Sequence, residues 1–257
     1  MTALKRIQTY LVKIFALIAL IFTAFFIIFR YGLHKDQTNP KNTRHVQYFC
    51  TRLCRALNIQ VHVHGAVPEQ TALWVSNHIS FLDIPVLGSV ARLFFLSKAE
   101  IAQWPVVGFL ARCGGTLFIQ RGSGDANKVG QQMANYLRQD IPLVFFPEAT
   151  TTNGHQIKKI YGKLLSAAIE TQRPLQIALL CYVNADGQLD STVPFVDIDF
   201  AQHAKQVLAL DDMVHAHVLI LPAMSVEGYD IKTLTAIVQQ KMEQGLAELH
   251  QQVLKVH

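Results

Sequence analysis

The stretch WVSNHISFLDIPVLG, Trp74 to Gly88, decides how this chain is read. It begins as a buried strand, ALWVSNH, and continues into a helical pattern, DIPVLGSVA, so the backbone must turn at Asn77 and His78. An imidazole and a carboxylate, His78 and Asp83, stand inside this apolar run. Loops that leave the end of a strand are where binding and catalytic groups concentrate. Asp83 falls on the first turn of the helix, from which a carboxylate can reach back to the ring. A carboxylate bonded to one ring nitrogen fixes the tautomer and leaves the other nitrogen as a base. By spacing alone, a helix-capping aspartate beside a satisfied core histidine is the commoner outcome.

Outward from this stretch the pattern alternates. IQVHVHG, RLFFLSKAE, GTLFIQR, IPLVFFPEA, PLQIALLCYV and HAHVLILPAMSV read as strands. AEIAQWPVVGFLARCG, broken near Pro105, reads as a helix, as do GDANKVGQQMANYLRQD behind Asp125, KLLSAAIETQR and the long tail from Ile231. This is an α/β chain with a mixed, mostly parallel sheet flanked by helices.

Ahead of it, IFALIALIFTAFFIIF (Ile14 to Phe29) carries no charge, and basic residues flank both ends. A helix of about sixteen residues is roughly 24 Å long, slightly short of a bilayer core, and lengthening it forces Lys13 to snorkel. Symmetric flanking charge fits a segment that enters and returns on one face. KDQTNPKN reads as the turn, and NTRHVQYFCTRLCRALNI as an amphipathic helix, set either in the headgroup layer or against the protein. We divide the chain into a membrane-anchoring hydrophobic helical hairpin, 1–58, and a catalytic domain, 59–257.

Composition agrees. Of 257 residues, 51% are hydrophobic and 16% charged, with net charge +5, which favours an anionic membrane surface. No Lys/Arg stripe interleaved with aromatics is present, which argues against nucleic acid. The four cysteines read as reduced and buried. Two His-x-His pairs, His62/His64 and His215/His217, read as solvated alternate positions, since a metal would need a third converging ligand; no metal is expected. RGSGDANK lacks the Gly-Lys-Ser/Thr of a phosphate loop and reads as a turn and cap.

NHISFLD resembles the Asn-His-x4-Asp motif of the glycerolipid acyltransferase family, which includes 1-acyl-glycerol-3-phosphate acyltransferases. FLSKAEI, GGTLFIQRG and VFFPEATTTNG resemble its further blocks, in order, over roughly Gln60 to Tyr182. The resemblance implies a glycerol-3-phosphate acyltransferase-like fold. It also implies His78 as general base and Asp83 as its orienting partner. Lys98 and Arg121 match headgroup-binding positions, with Glu148, Thr150 and Thr151 at the same site and Glu148 at the pocket mouth. The donor it implies is an acyl thioester of coenzyme A or acyl carrier protein, with no cofactor. The acceptor is a lysolipid hydroxyl, in a bacterial inner membrane with the catalytic domain facing the cytoplasm. A general base of this kind contributes on the order of 10²–10⁴-fold, and no Gly-x-Ser-x-Gly elbow is present. Backbone N–H groups near the motif are candidates for binding the oxyanion.

The third block departs from the family pattern, which continues Glu-Gly-Thr-Arg. Here Ala149 replaces the glycine and Thr151 the arginine. An alanine at positive φ strains the loop by roughly 1–2 kcal/mol. A hydroxyl cannot grip a phosphate bidentately, and Lys158, Lys159 or Lys163 would have to compensate. The acceptor that the resemblance implies first is 1-acyl-glycerol-3-phosphate. The runner-up is a lyso-ornithine lipid, which has no phosphate monoester, or a lysophospholipid. A different class of reading is a catalytically inactive lipid-binding scaffold; loss of turnover in His78→Ala separates it from an enzyme.

Overall fold

The computed structural model describes residues 3–120 and 125–255. Strands β1 (Ile59–His64), β2 (Leu73–Ser76), β3 (Phe94–Lys98), β4 (Leu117–Ile119), β5 (Leu143–Phe145), β6 (Leu175–Val183) and β7 (Val214–Ile220) form one sheet in the order β1-β7-β6-β2-β5-β3-β4. Every described pairing is parallel except β6 with β7. The C-terminal ends of β2, β5, β3 and β4 therefore open on one edge, the usual location of a site in such sheets.

Period-two alternation sorts the strand residues into two cores. Leu73, Val75, Leu143, Phe145, Ile177 and Leu179 face α5 (Ala126–Arg138), α6 (Ser166–Thr171) and α8 (Ile231–Val253), and pack on Met133, Leu165, Val238 and Met242. Trp74, Val144, Ala178, Leu180 and Tyr182 face the other way, toward α2 (Thr43–Ala56), α3 (Asp83–Val90) and α7 (Phe200–Ala209). All nine residues of β6 are buried, as expected of a strand covered on both faces.

The helix interrupted near Pro105 is a 3₁₀ turn, Ala99–Gln103, followed by α4 (Val107–Cys113). Val106 between them has φ +63°. Ahead of α2, Asn39 caps the 3₁₀ turn Pro40–Asn42, its side chain accepting from the N–H of Lys41. The helix packs along α3, with Cys50 and Cys54 buried, so it is set against the protein and not free in a headgroup layer. Burial pushes both thiols up, Cys54 to about 11, which keeps them protonated and inert.

Helix α1 (Ala3–Tyr31) is long and apolar enough over Ile7–Tyr31 to cross a membrane. It nonetheless runs along the domain, against α2, α4 and α7. Lys13, Leu20, Ala24 and Ile28 form its buried stripe, while Phe15, Phe22, Phe26 and Phe29 are 60–75% exposed on the opposite face. Lys13 does not snorkel. It is 4% exposed, and its Nζ donates to the carbonyl of Leu210 at 2.5 Å, because the chain end of α7 offers an unpaired acceptor there. At the other end of α1, Phe25 stacks on Phe109 of α4 with centroids 5.4 Å apart.

Candidate active site

Asn77 ends β2 by imitating a strand residue. Its side-chain oxygen accepts from the N–H of Leu180 at 2.7 Å, and its amide donates to the Leu180 carbonyl at 2.9 Å. The main chain is thereby released from the ladder one residue before His78 and turns into the open edge. The Asp83 carboxylate, fully buried at the start of α3, reaches back under this turn. Its Oδ2 accepts from His78 Nδ1 at 2.7 Å and from the N–H groups of Ile79 at 2.6 Å and Ser80 at 3.0 Å. Its Oδ1 accepts from the Tyr182 hydroxyl at 2.8 Å. An ionised carboxylate only accepts, so Nδ1 carries the hydrogen and Nε2 presents a lone pair. The His78 side chain is 18% exposed, and its ring stacks on Phe146 at 4.1 Å and 13°. The imidazole is thus fixed in tautomer, plane and position, and its side chain is partly exposed.

Tyr182 was not recognised from the sequence. It stands 99 residues from Asp83, and the signal is a hydroxyl within a mostly apolar strand. Its side chain shares the α3 side of the sheet because 178, 180 and 182 alternate together. Burial, reinforced by the Asp83 charge, holds the phenol well above its usual range, so it remains a donor.

Glu148 is corrected from pocket mouth to interior: it is 2% exposed. Oε1 accepts from the His78 N–H at 3.0 Å, and Oε2 from the Lys158 N–H at 2.7 Å. It braces the turn that carries His78 against the loop after β5. Burial raises its pKa, opposed by those two hydrogen bonds. The loop is tied to the turn again where Thr152 N–H donates to the His78 carbonyl at 2.8 Å. Gly154, at φ +79°, packs where a Cβ would lie 3.0 Å from Ile79 Cδ1. Ala149 adopts φ +56°, so the strained conformation is realised.

These bonds also occupy the nearest oxyanion donors. The N–H groups of His78, Ile79, Ser80 and Thr152 all have intramolecular acceptors, so none of these four is free to bind an oxyanion.

Thr151 donates its hydroxyl to the carbonyl of Phe195, and Phe195 N–H donates to the Ile79 carbonyl at 2.8 Å. The segment between β6 and α7 thus forms a wall of the site, which sequence reasoning missed because it has neither periodicity nor motif. Thr150 is exposed beside it. Lys98 is exposed at the C-terminal end of β3, in register with Ile119 of β4, on the same open edge but separated from β2 by β5. Arg121 and the RGSG turn lie outside the described residues. Lys159 and Lys163 are exposed, while Lys158 lines a cavity with Thr150 and Thr151.

The His-x-His pairs are corrected from solvated positions to a ladder across β1 and β7. His62 Nε2 meets His215 Nδ1, and His64 Nε2 meets His217 Nδ1, each at 3.1 Å. Parallel pairing brings His62 and His217 into register, and their rings stack at 4.5 Å. Among the described residues, no three His, Cys, Asp or Glu side chains converge to hold a metal.

A family model described as acyltransferase matches residues 58–179. The chain is 38% identical over 224 residues to a lyso-ornithine lipid O-acyltransferase of Pseudomonas aeruginosa, covering 87% of this chain and 86% of that one. It is 30% identical over 146 residues to a 1-acyl-sn-glycerol-3-phosphate acyltransferase of Neisseria gonorrhoeae, covering 56% and 57%. The crystal structure of the 1-acyl-sn-glycerophosphate acyltransferase PlsC of Thermotoga maritima superposes with a TM-score of 0.69 over 97% of this chain and 98% of that one. At 20% identity, that likeness concerns the fold.

Proposed function

The chain belongs to the PlsC-like acyltransferase family, and from that premise we propose that it esterifies the hydroxyl of a membrane lysolipid with a fatty acyl group from a coenzyme A or acyl-carrier-protein thioester. The observation that carries the chemistry is the imidazole held at 2.7 Å by a buried carboxylate, with its other nitrogen facing the open edge. Nε2 takes the proton of the acceptor hydroxyl as its oxygen attacks the thioester carbonyl carbon. The Asp83 charge stabilises the imidazolium that forms. Collapse of the tetrahedral intermediate breaks the carbon–sulfur bond, and the imidazolium returns the proton to the departing thiolate. No acyl-enzyme is required.

The acceptor that fits best is a lyso-ornithine lipid, the runner-up of the sequence reading. Thr151 stands where a phosphate-gripping arginine was expected, and its hydroxyl is engaged by Phe195. The similarity to the Pseudomonas protein, which spans most of both chains, supports the same choice.

Helix α1 supports a monotopic attachment. Both halves pack against the domain, leaving its phenylalanine face as the surface for lipid. Attachment by that face, with the catalytic domain on the cytoplasmic side, brings the enzyme to the layer that holds acceptor and product.

The test is acyl transfer by the full-length protein in vesicles, with acyl-CoA and acyl-carrier-protein donors, offered lyso-ornithine lipid and lysophosphatidic acid in parallel. Turnover should favour lyso-ornithine lipid and fall by roughly 10²–10⁴-fold in a folded, membrane-bound His78→Ala variant. Absence of turnover by the parent with either acceptor returns the protein to the scaffold class, and equal turnover in His78→Ala removes the imidazole as the base.

A further inference from the structure

A cavity of about 420 Å³ lies beside the catalytic turn, lined by Thr150, Thr151, Lys158, Phe195, Asp197 and neighbouring apolar residues. It is an open recess whose two sides are tied to the turn that carries His78. Lys158 is fixed by the bond from its N–H to Glu148 Oε2, whose other oxygen holds His78. The opposite wall is pinned by the bonds joining Thr151 to Phe195 and Phe195 to Ile79. Two opposite charges line this frame, the Lys158 ammonium and the Asp197 carboxylate. Both are exposed, and no ion pair within 4.0 Å joins them among the described residues. Asp197 is held at φ +52°, a conformation that costs a non-glycine residue free energy and recurs at ligand-binding positions.

We propose that this cavity is the acceptor headgroup site and that it recognises an amino-acid zwitterion, with Asp197 taking the ammonium and Lys158 the carboxylate. The inference rests on the acyl-transfer reading and deepens it by assigning headgroup choice to residues outside the family's motif blocks. The chemistry is complementary. An ornithine bearing one amide keeps one ammonium and one carboxylate, which the two walls can pair separately. A phosphate monoester would meet one lysine and a like-charged aspartate, without the bidentate grip of an arginine. The same carboxylate that attracts the zwitterion therefore repels the competing headgroup, so the site selects by repulsion as well as attraction.

The experiment is a cycle of variant against ligand, using the full-length protein in mixed micelles. Parent, Asp197→Asn and Lys158→Met are assayed with lyso-ornithine lipid, its N-acetylated derivative and its carboxyl methyl ester. Asparagine tolerates the left-handed backbone at 197, so Asp197→Asn removes charge with little change of shape. It should raise KM for lyso-ornithine lipid by about 10- to 100-fold, with a much smaller effect on kcat. That penalty should shrink when the ammonium is acetylated, and the Lys158→Met penalty should shrink when the carboxylate is esterified. Asp197→Asn should also improve use of lysophosphatidic acid relative to lyso-ornithine lipid. If the parent turns over lyso-ornithine lipid but its KM is unmoved by Asp197→Asn, the subsite is wrong and the acceptor stands. If the parent uses only phosphate-bearing acceptors, both are overturned. Penalties independent of the acceptor's charges also overturn the subsite.

Discussion

Replacing Asp83 with asparagine separates charge from hydrogen bonding at the catalytic pair. The amide oxygen can occupy the place of Oδ2 and keep the three donors found there, His78 Nδ1 and the N–H groups of Ile79 and Ser80. The amide nitrogen then falls where Oδ1 was, facing the Tyr182 hydroxyl, which can rotate and accept. Tautomer, ring orientation and the turn all survive. What disappears is the negative charge beside the imidazolium of the transition state. Two unit charges about 4 Å apart, at an effective dielectric constant of about 20, attract by about 4 kcal/mol. At roughly 1.4 kcal/mol per decade, that is on the order of a thousandfold in rate. The assay is transfer of a labelled acyl chain under saturating donor, beside a thermal melt. Asp83→Asn should lose about three decades in kcat while its Tm moves by only a few degrees. Tyr182→Phe should do the opposite. It keeps the charge but leaves Oδ1 buried without its hydroxyl partner, costing about 1–3 kcal/mol of stability and a smaller fraction of activity. An Asp83→Asn enzyme retaining more than about a tenth of the parent rate would show that the carboxylate serves only as a hydrogen-bond acceptor and would refute the electrostatic account.

Ala149→Gly should stabilise the protein. It relieves about 1–2 kcal/mol of left-handed strain against about 0.4–1 kcal/mol of added unfolded-state entropy, for a Tm gain of up to about 6 °C; a lower melt would contradict the strain at φ +56°. The histidine ladder should make stability fall on acidification. Burial first, then His62, His64 and His215, pull His217 from 6.5 down to about 4. The unfolded chain therefore binds its proton first, and the contribution of His217 is intact above 6.5 and lost as pH falls toward about 4. His217→Gln should flatten the dependence of Tm on pH across that window; an unaltered slope would place the acid sensitivity elsewhere.

The His78–Asp83 contact was legible because its two members are five residues apart and lie on a strand end and a helix start, both marked by local patterning. The strands and helices were legible for the same reason: periodicity is a local property. What stayed hidden depends on tertiary neighbours. Glu148 follows an apolar strand exactly as a pocket-mouth residue would, yet two backbone donors from His78 and Lys158 draw it inside. Lys13 interrupts an apolar helix as a snorkelling lysine would, yet a carbonyl 197 residues away captures it. His62, His64, His215 and His217 alternate like solvated strand positions, and only the parallel pairing of β1 with β7 makes them partners. Phe195 and Asp197 belong to a stretch without regular structure, and nothing in their own neighbourhood points to the site they border.

Helix α1 is held at two separated points, by Lys13 to Leu210 and by Phe25 to Phe109, so the stretch between them cannot swing as a free arm. On a bilayer that accepts its phenylalanine face, the elevation of the imidazole above the acyl chains becomes a constant of the fold. On the proposed function, a lysolipid rises to the imidazole by a fixed distance, and acceptors whose hydroxyl sits too deep are refused by altitude, before any headgroup is read.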